Sequence, residues 1–444
     1  MRPQMAGVPV AAPTPVDTVA TVFAPTADGR KVRLRGWVEK TRHSGGLLFL
    51  LIRDRTGSVQ VAAKRDALGP ESFERATTLQ VEGALDLEGT VHADPRAPGG
   101  REVRATSLRV VDAGQPFPIF RDQTEEFRLD KRHLVIRSHE HVATFRVKAE
   151  LLAAFRRFLE AEEVLEMTPP VLTGNPAEGG AEAFQFDYFG RTGYLSQSVQ
   201  LYLEALLVPN ERVYALTPSF RAEKSRTPRH LTEYLHLEVE LAWCDLGQLE
   251  EFIERMIATS VADVAGRRAK ELKELGRAPE ELAKIRAPFP RITYAEALER
   301  LRTKGFDLAW GADLRTAEEA ALTMEEPTPI FVTHFPRELK AFYMLQSPAD
   351  PKTVEAADLL APEGYGEIVG ASCRETSVEK LVERLKAAGA DPAEYDWYLD
   401  LRRHGSVPHA GFGLGVERVL RWMLRREHIR ETTPFPRTPS RHTP

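Results

Sequence analysis

From Lys31 onward, polar and apolar positions alternate with a period of two. KVRLRGWV sets the pattern, GLLFLLIRDRTGSVQVAAK repeats it on both sides of a turn at Thr56-Gly57, and TTLQVEGALDLEGTV and REVRATSLRVVDA extend it. Such alternation marks strands with one buried face. About five short strands in roughly 85 residues predict a small Greek-key barrel of OB type over residues 30–112, with a generic sandwich as the alternative. AGQPFPIFRDQ, with two prolines and little periodicity, opens a linker assigned to 113–130. Beyond it the period changes to helical: Val147, Leu151, Leu152, Phe155 and Phe158 share one face, and the helix stops before the prolines of LEMTPPVLT. QSVQLYLEALLV reads as a second helix. ERVYALTPSFRAE and EYLHLEVELAW read as strands, a long helical stretch starts at LGQLEEF, and AGFGLGVERVLRWMLRR reads as strand, turn and helix. Hairpin-connected strands with helices around them predict an antiparallel α+β domain over 131–444, its sheet flanked by helices.

Composition narrows the picture. A length of 444 residues with 42% hydrophobic content fits two to three packed domains. The first 29 residues, rich in Ala, Val and Pro, read as a loosely ordered extension rather than a signal peptide, because prolines interrupt the apolar stretch and little positive charge precedes it. Only Cys244 and Cys373 occur, too few for a disulfide framework or a zinc knuckle, so no zinc is expected and a reducing cytoplasm is the simple reading. No apolar run reaches the roughly 18 residues of a membrane span, so no membrane partner is expected. The formal net charge is −5, yet ten cations and only three anions lie between Arg30 and Asp66, an excess of +7 on the barrel strands. That asymmetry fits a module neutralising nucleic-acid phosphates. No Gly-rich turn opens a βαβ unit, no GxxxxGK[ST] is present, and no Ser-His-Asp or Cys-His arrangement stands out.

The chemistry concentrates in FRAEKSRTPRHLTEYLHLEVE, residues 220–240, where Arg221, Lys224, Arg226, Arg229 and His230 precede the alternating carboxylates Glu238 and Glu240. Massed guanidinium groups suit a polyphosphate. With the helix ending in Pro169 and Pro170 and the later GFGLGVER, this stretch resembles the three ordered motifs of class II aminoacyl-tRNA synthetases. The barrel before them resembles the aspartyl, asparaginyl and lysyl subgroup. The resemblance covers the chain from about residue 30 and implies ATP and tRNA as substrates, Mg2+ as cofactor, and a homodimer through the first motif.

Residue by residue, the resemblance implies that Arg221 holds the α-phosphate and that Arg418 lies against adenine near the terminal phosphate; these are the two catalytic candidates. Glu223 matches the reader of the adenine amino group and Tyr234 the aromatic stacked on the ring. Arg229 and His230 match groups near the distal phosphates. Asp358 and Glu367 match the metal carboxylates, with Ser372 as a further ligand. Glu178 and Gln200 match groups that bind the α-ammonium. In QSVQLYLEA, Leu203 stands where aspartyl enzymes place a lysine, Arg374 matches a donor to the side-chain oxygen, and Glu238 matches the asparaginyl glutamate that accepts from a carboxamide. These positions, with KAFYM and LAPEGYGEIVG, look asparaginyl, implying asparagine and tRNA(Asn) as substrates. In the barrel, Arg42, Phe49 and Gln60 match anticodon contacts, with Phe49 as ordinary barrel core the competing reading. GASCRE and HAGFG depart from the family's GGSQRE and HSGFG at Ala371, Cys373 and Ala410. A non-discriminating aspartyl enzyme, an amidating asparagine synthetase and a non-catalytic tRNA-binding paralog are the rival readings.

Overall fold

The computed structural model describes residues 15–120, 122–177, 182–224 and 227–444, which form two compact units meeting in sequence between Gln123 and Thr124. In the first, strands β1 (Lys31–Ser44), β2 (Leu47–Asp54), β3 (Gly57–Lys64), β4 (Ala84–Ala93) and β5 (Arg101–Asp112) close into a barrel of order β1-β2-β3-β5-β4, β1 pairing with β4. The period-two pattern becomes the barrel wall: Leu48, Leu50 and Ile52 point inward from β2 with Val32, Leu34 and Val38 of β1, while Leu47, Phe49 and Leu51 lie on the other face. This places Phe49 outside the core.

Two boundaries differ from the sequence reading. Residues 15–29 are not a loose extension. A short helix, α1 (Val19–Val22), buries Val19 and Val22 with Ala27 against the barrel core. The Val19 amide donates to Asp54 (2.8 Å), and Arg101 donates to the Val22 carbonyl (3.0 Å). The prolines that argued for looseness lie mostly before this apolar triplet. The stretch assigned to the linker also ends in structure: Thr124 caps α2 (Glu125–Asp130), whose Leu129 is buried.

The second unit is built on an eight-stranded sheet. Its members are β6 (Leu165–Glu166), β10 (Arg212–Phe220), β11 (Glu233–Ala242), β12 (Arg291–Thr293), β13 (Ile330–Thr333), β14 (Ala356–Ala361), β15 (Gly366–Cys373) and β16 (His409–Gly415), in the order β12-β13-β14-β15-β16-β11-β10-β6. The six central strands are antiparallel. The sheet is nevertheless mixed, because the two- and three-residue edge strands β6 and β12 pair in parallel with their neighbours. A small second sheet joins β7 (Leu172–Thr173), β8 (Gln185–Tyr188) and β9 (Arg191–Leu195). The long helix α3 (His139–Ala161) carries the predicted stripe: Val147, Leu151, Phe155 and Phe158 are buried in a core shared with α5 (Leu246–Arg267) and with Phe412 and Trp422. Between them in sequence, α4 (Gln200–Asn210) packs on β10 and β11, its Leu203 buried among Val199, Leu207, Val213 and Ala215. α6 (Asp396–Arg403) and α7 (Val416–Met423) complete the elements that carry functional side chains.

Candidate active site

The site is organised by sheet register. Asp358 of β14, Gly370 of β15, Gly413 of β16 and Glu238 of β11 lie opposite one another in one row across four strands. The next row is Ser372, Gly411 and Glu240. Glycine opens a trough between the carboxylates. A β-carbon on Gly411 would sit 2.2 Å from the Glu240 carboxylate, so Glu240 reaches across β16 only because residue 411 has no side chain. At Gly413 the occupant of that space is the His236 ring, 2.4 Å from where a β-carbon would be. The glycines of GFGLG thus make room for side chains crossing from β11.

A cavity of about 530 Å³ opens over these rows and is lined by Ser198, Gln200, Glu238, Arg374, Asp358 and Glu367. A second, contiguous cavity is lined by Arg229, His230, Tyr234 and Arg418; Arg221, His236, Glu367 and Gly413 border both. Glu223 stands 3.7 Å from Arg221 and 3.9 Å from His230. The Arg221 guanidinium lies 5.8 Å from the Tyr234 ring centre, and Arg418 is 3.2 Å from the Glu367 carboxylate.

At the inner end, Arg374 is fully buried and forks onto Glu240, with Nε–Oε2 3.2 Å and Nη2–Oε1 2.5 Å, while Nη1 donates to Ser372 Oγ at 2.6 Å. Burial alone would lower the Arg374 pKa; the Glu240 carboxylate more than offsets this and raises it. Three of the guanidinium's five N–H groups are thereby used, leaving two. Opposite, Glu238 accepts from the Ser198 hydroxyl and from the Val199 amide (3.1 Å), at the start of α4. Its burial raises its pKa, partly offset by those two donors.

At the outer end, Asp358 Oδ1 and Glu367 Oε1 lie 3.7 and 3.6 Å from the point where a Gly370 β-carbon would be, converging on open space. Lys340 donates to Asp358 Oδ2 at 2.6 Å. Burial pushes Asp358 up to about 6 despite Lys340. Burial would do the same to Glu367, but Arg418, Lys340, Arg229 and Arg221 hold it down at about 2. Burial, with Arg418 and Arg229 nearby, lowers His230 to about 4, so it is neutral at pH 7. Two hard carboxylate oxygens facing one gap fit a magnesium ion, which takes one or two carboxylates and completes its shell with water and phosphate.

Two expectations change here. Leu203 lies in the apolar core behind the pocket rather than on its wall, because its face of α4 packs on Val213 and Ala215. Ser372 is wholly buried and accepts from Arg374, so its hydroxyl is held at the guanidinium rather than with the two carboxylates. Glu178 lies outside the described residues. Sequence reading also missed four groups. Glu319 pairs with Arg229 and accepts from the Glu367 amide (2.8 Å). Lys340 holds Asp358, His236 fills the space over Gly413, and Glu204 anchors a buried network. Lys340 stands in KAFYM, Glu204 in QSVQLYLEA and His236 in EYLHLEVELAW, but Arg402 beside Glu204, Gly413 beside His236 and Arg229 beside Glu319 are distant in sequence.

In the barrel, Arg42 pairs with Phe49 across β1 and β2, and Gln60 pairs with Leu51 across β2 and β3. All three line an open groove of about 490 Å³ with Lys40 and Arg96. The local charge excess is smaller than counted. Of the ten cations between Arg30 and Asp66, five pair with carboxylates outside that window: Arg30 with Asp17, Arg33 and Arg35 with Asp86, Arg53 with Glu82, and Arg65 with Glu74.

A carboxylate trough between glycine-bearing strands, bordered by arginines from a hairpin loop, is the site of a class II aminoacyl-tRNA synthetase. Residues 124–439 match the family of class II tRNA synthetases (D, K and N), and residues 32–111 match the OB-fold nucleic acid binding domain. The chain is 47% identical to an asparagine-tRNA ligase of Thermococcus gammatolerans over 95% of its own length and 97% of that relative. It superposes with a TM-score of 0.94 on asparaginyl-tRNA synthetase from Pyrococcus horikoshii complexed with asparaginyl-adenylate, at 47% identity over 97% of this chain and 100% of the other. An asparaginyl-tRNA synthetase of Entamoeba histolytica gives 0.86 at 32% identity, covering 95% and 98%. The chain belongs to the asparaginyl-tRNA synthetase family. Among the described residues no helix is long and apolar enough to cross a membrane.

Proposed function

We propose that this protein activates asparagine with ATP to asparaginyl-adenylate and transfers it to tRNA(Asn). The observation that carries the choice of amino acid is the pairing of Arg374 with Glu240 opposite the buried carboxylate of Glu238, while the lysine on the cavity wall, Lys340, is held by Asp358 at the outer end. An asparagine carboxamide gives N–H to Glu238 and takes the two remaining Arg374 hydrogens on its oxygen. An aspartate carboxylate about 4 Å from Glu238, at an effective dielectric of about 20, meets roughly 4 kcal/mol of repulsion. That is about a thousandfold in selection.

The reaction needs no enzyme nucleophile. The amino-acid carboxylate attacks the α-phosphorus in line and pyrophosphate departs; the terminal ribose hydroxyl of tRNA then attacks the adenylate carbonyl and AMP departs. Arg221, common to both cavities, stabilises charge growing on the α-phosphate, while Arg418, Arg229 and neutral His230 line the nucleotide side. Asp358 and Glu367 would hold magnesium, which when bound neutralises phosphate charge. The α-ammonium falls to Gln200, and adenine to Tyr234 and Glu223. Homodimerisation through α3 and the segment ending in Pro170 belongs to the same reading.

Pyrophosphate exchange with asparagine and aspartate side by side tests the assignment: exchange driven by asparagine is expected, and equal rates would favour a non-discriminating aspartyl enzyme. Asp358 adds a pH dependence. Its pKa is raised to about 6, so it is ionised at pH 7.5 and mostly protonated at pH 5.5. The Mg2+ concentration giving half-maximal exchange should therefore rise as pH falls through 6, and a flat profile would remove Asp358 from the metal site. Phe49→Ala, at an outward position, should weaken tRNA binding by ~1–3 kcal/mol, seen as a higher KM for tRNA with amino-acid activation unchanged.

A further inference from the structure

A buried polar cluster centres on Glu204. Its side chain is fully buried, and its hydrogen-bond partners are donors from Arg402, Tyr398, His409 and Gln200. Oε2 accepts from Arg402 Nη2 (2.5 Å), His409 Nε2 (3.0 Å) and the Tyr398 hydroxyl (2.9 Å); Oε1 accepts from that hydroxyl (3.0 Å) and from Gln200 Nε2 (3.0 Å). The His409 ring also faces the Val407 carbonyl at 2.7 Å through Nδ1. The Arg402 guanidinium, buried against Oε2, calls for a carboxylate, not a carboxylic acid, at Glu204. Burial opposes that charge, but Arg402 and His409 more than offset it and keep the Glu204 pKa low.

An ionised carboxylate has no proton to give, so the Gln200 group facing it must be the NH2. The carbonyl oxygen of Gln200 is then turned away from Glu204, and among the described residues it takes no hydrogen bond from the protein. Gln200 itself lines the amino-acid cavity. We infer that Glu204 is a positioning residue: by holding the amide nitrogen of Gln200, it presents the Gln200 carbonyl oxygen to the cavity as an acceptor for the substrate's α-ammonium group. This rests on the proposed amino-acid substrate. The arrangement joins α4, α6 and β16 to one oxygen atom, so the choice of amide face is made by the folded scaffold before substrate arrives.

Glu204→Gln isolates the effect. Arg402 and His409 require an oxygen at the Oε2 position, so the new NH2 group at position 204 must face Gln200. Gln200 then accepts with its oxygen and turns its own NH2 to the cavity, donor against donor. The expected result is a rise in KM for asparagine of about 10- to 100-fold, the loss of one hydrogen bond to a charged group. KM for ATP stays within about twofold, as does the inhibition constant of succinamic acid, which is asparagine without its α-amino group. Gln200→Met, which leaves the buried network intact, must give the same selective loss, and keeps the inference testable if Glu204→Gln folds poorly. The double variant Gln200→Glu, Glu204→Gln restores an oxygen on both faces and should recover most of the asparagine KM. Equal losses for asparagine, ATP and succinamic acid, or no recovery in the double variant, would reduce Glu204 to a structural role. Absence of asparagine-dependent exchange in the unaltered protein would instead overturn the substrate reading, and this inference with it.

Discussion

Arg221→Ala should depress asparagine-dependent pyrophosphate exchange by about a thousandfold while leaving the fold intact. The guanidinium borders both cavities, the only arginine among the described residues to do so, at the junction where carboxylate and α-phosphate must meet. Removing one preorganised donor from a site of developing negative charge costs ~2.7–4 kcal/mol in the transition state. The side chain is 28% exposed, so its loss creates no apolar cavity, and the thermal midpoint should move little. Arg221→Lys should recover only part of the rate, because an ammonium cannot present a planar fork or lie against Tyr234 in the same way. Exchange kinetics with both substrates saturating give the comparison; a loss confined to KM for ATP would mean that Arg221 binds the ground state without acting on the reaction.

Glu238→Gln should cut the preference for asparagine over aspartate by two to three orders of magnitude. The buried carboxylate is held by the Ser198 hydroxyl on Oε1 and the Val199 amide on Oε2; in the variant the amide oxygen can take the Val199 N–H while the new NH2 donates to the Ser198 hydroxyl oxygen, so the side chain stays in place while its charge disappears. What is lost is the roughly 4 kcal/mol of repulsion against an aspartate carboxylate. Aspartate-dependent exchange should appear as asparagine-dependent exchange weakens. Unchanged selectivity would place the discriminating group elsewhere.

How much of this could be read from the chain depends on the range of each interaction. The barrel and the stripe of α3 were legible because they are periodic over neighbouring residues. Phe49 was not: its alternation fits either face, and only the inward Leu48, Leu50 and Ile52 fix it outward. The failure at residues 15–29 was one of weighting, since proline content outvoted the Val19, Val22 and Ala27 pattern that seals the barrel. The charge excess was overstated because a sequence window ignores carboxylates brought in by folding, such as Asp86, which gathers Arg33, Arg35 and Arg109. In the catalytic unit the motif arginines and carboxylates were legible as types in order. Their restraints were not, because Arg374 meets Glu240 across 134 residues, Arg229 meets Glu319 across 90, and Glu204 meets Arg402 across 198.

The internal pairing of Arg374 with Glu240 carries a consequence for ionic strength. Mobile ions screen charges that solvent can reach over about 10 Å at 0.1 M, and this pair is almost wholly enclosed. Asparagine, entering as a zwitterion with an uncharged side chain, meets a field already closed on itself, so its apparent affinity should stay nearly constant as potassium chloride is raised. ATP meets arginines that are largely enclosed, whereas the polynucleotide binds through the ions it sheds. Added salt should therefore silence the second half-reaction while the first continues, leaving the protein loaded with an activated amino acid and no acceptor.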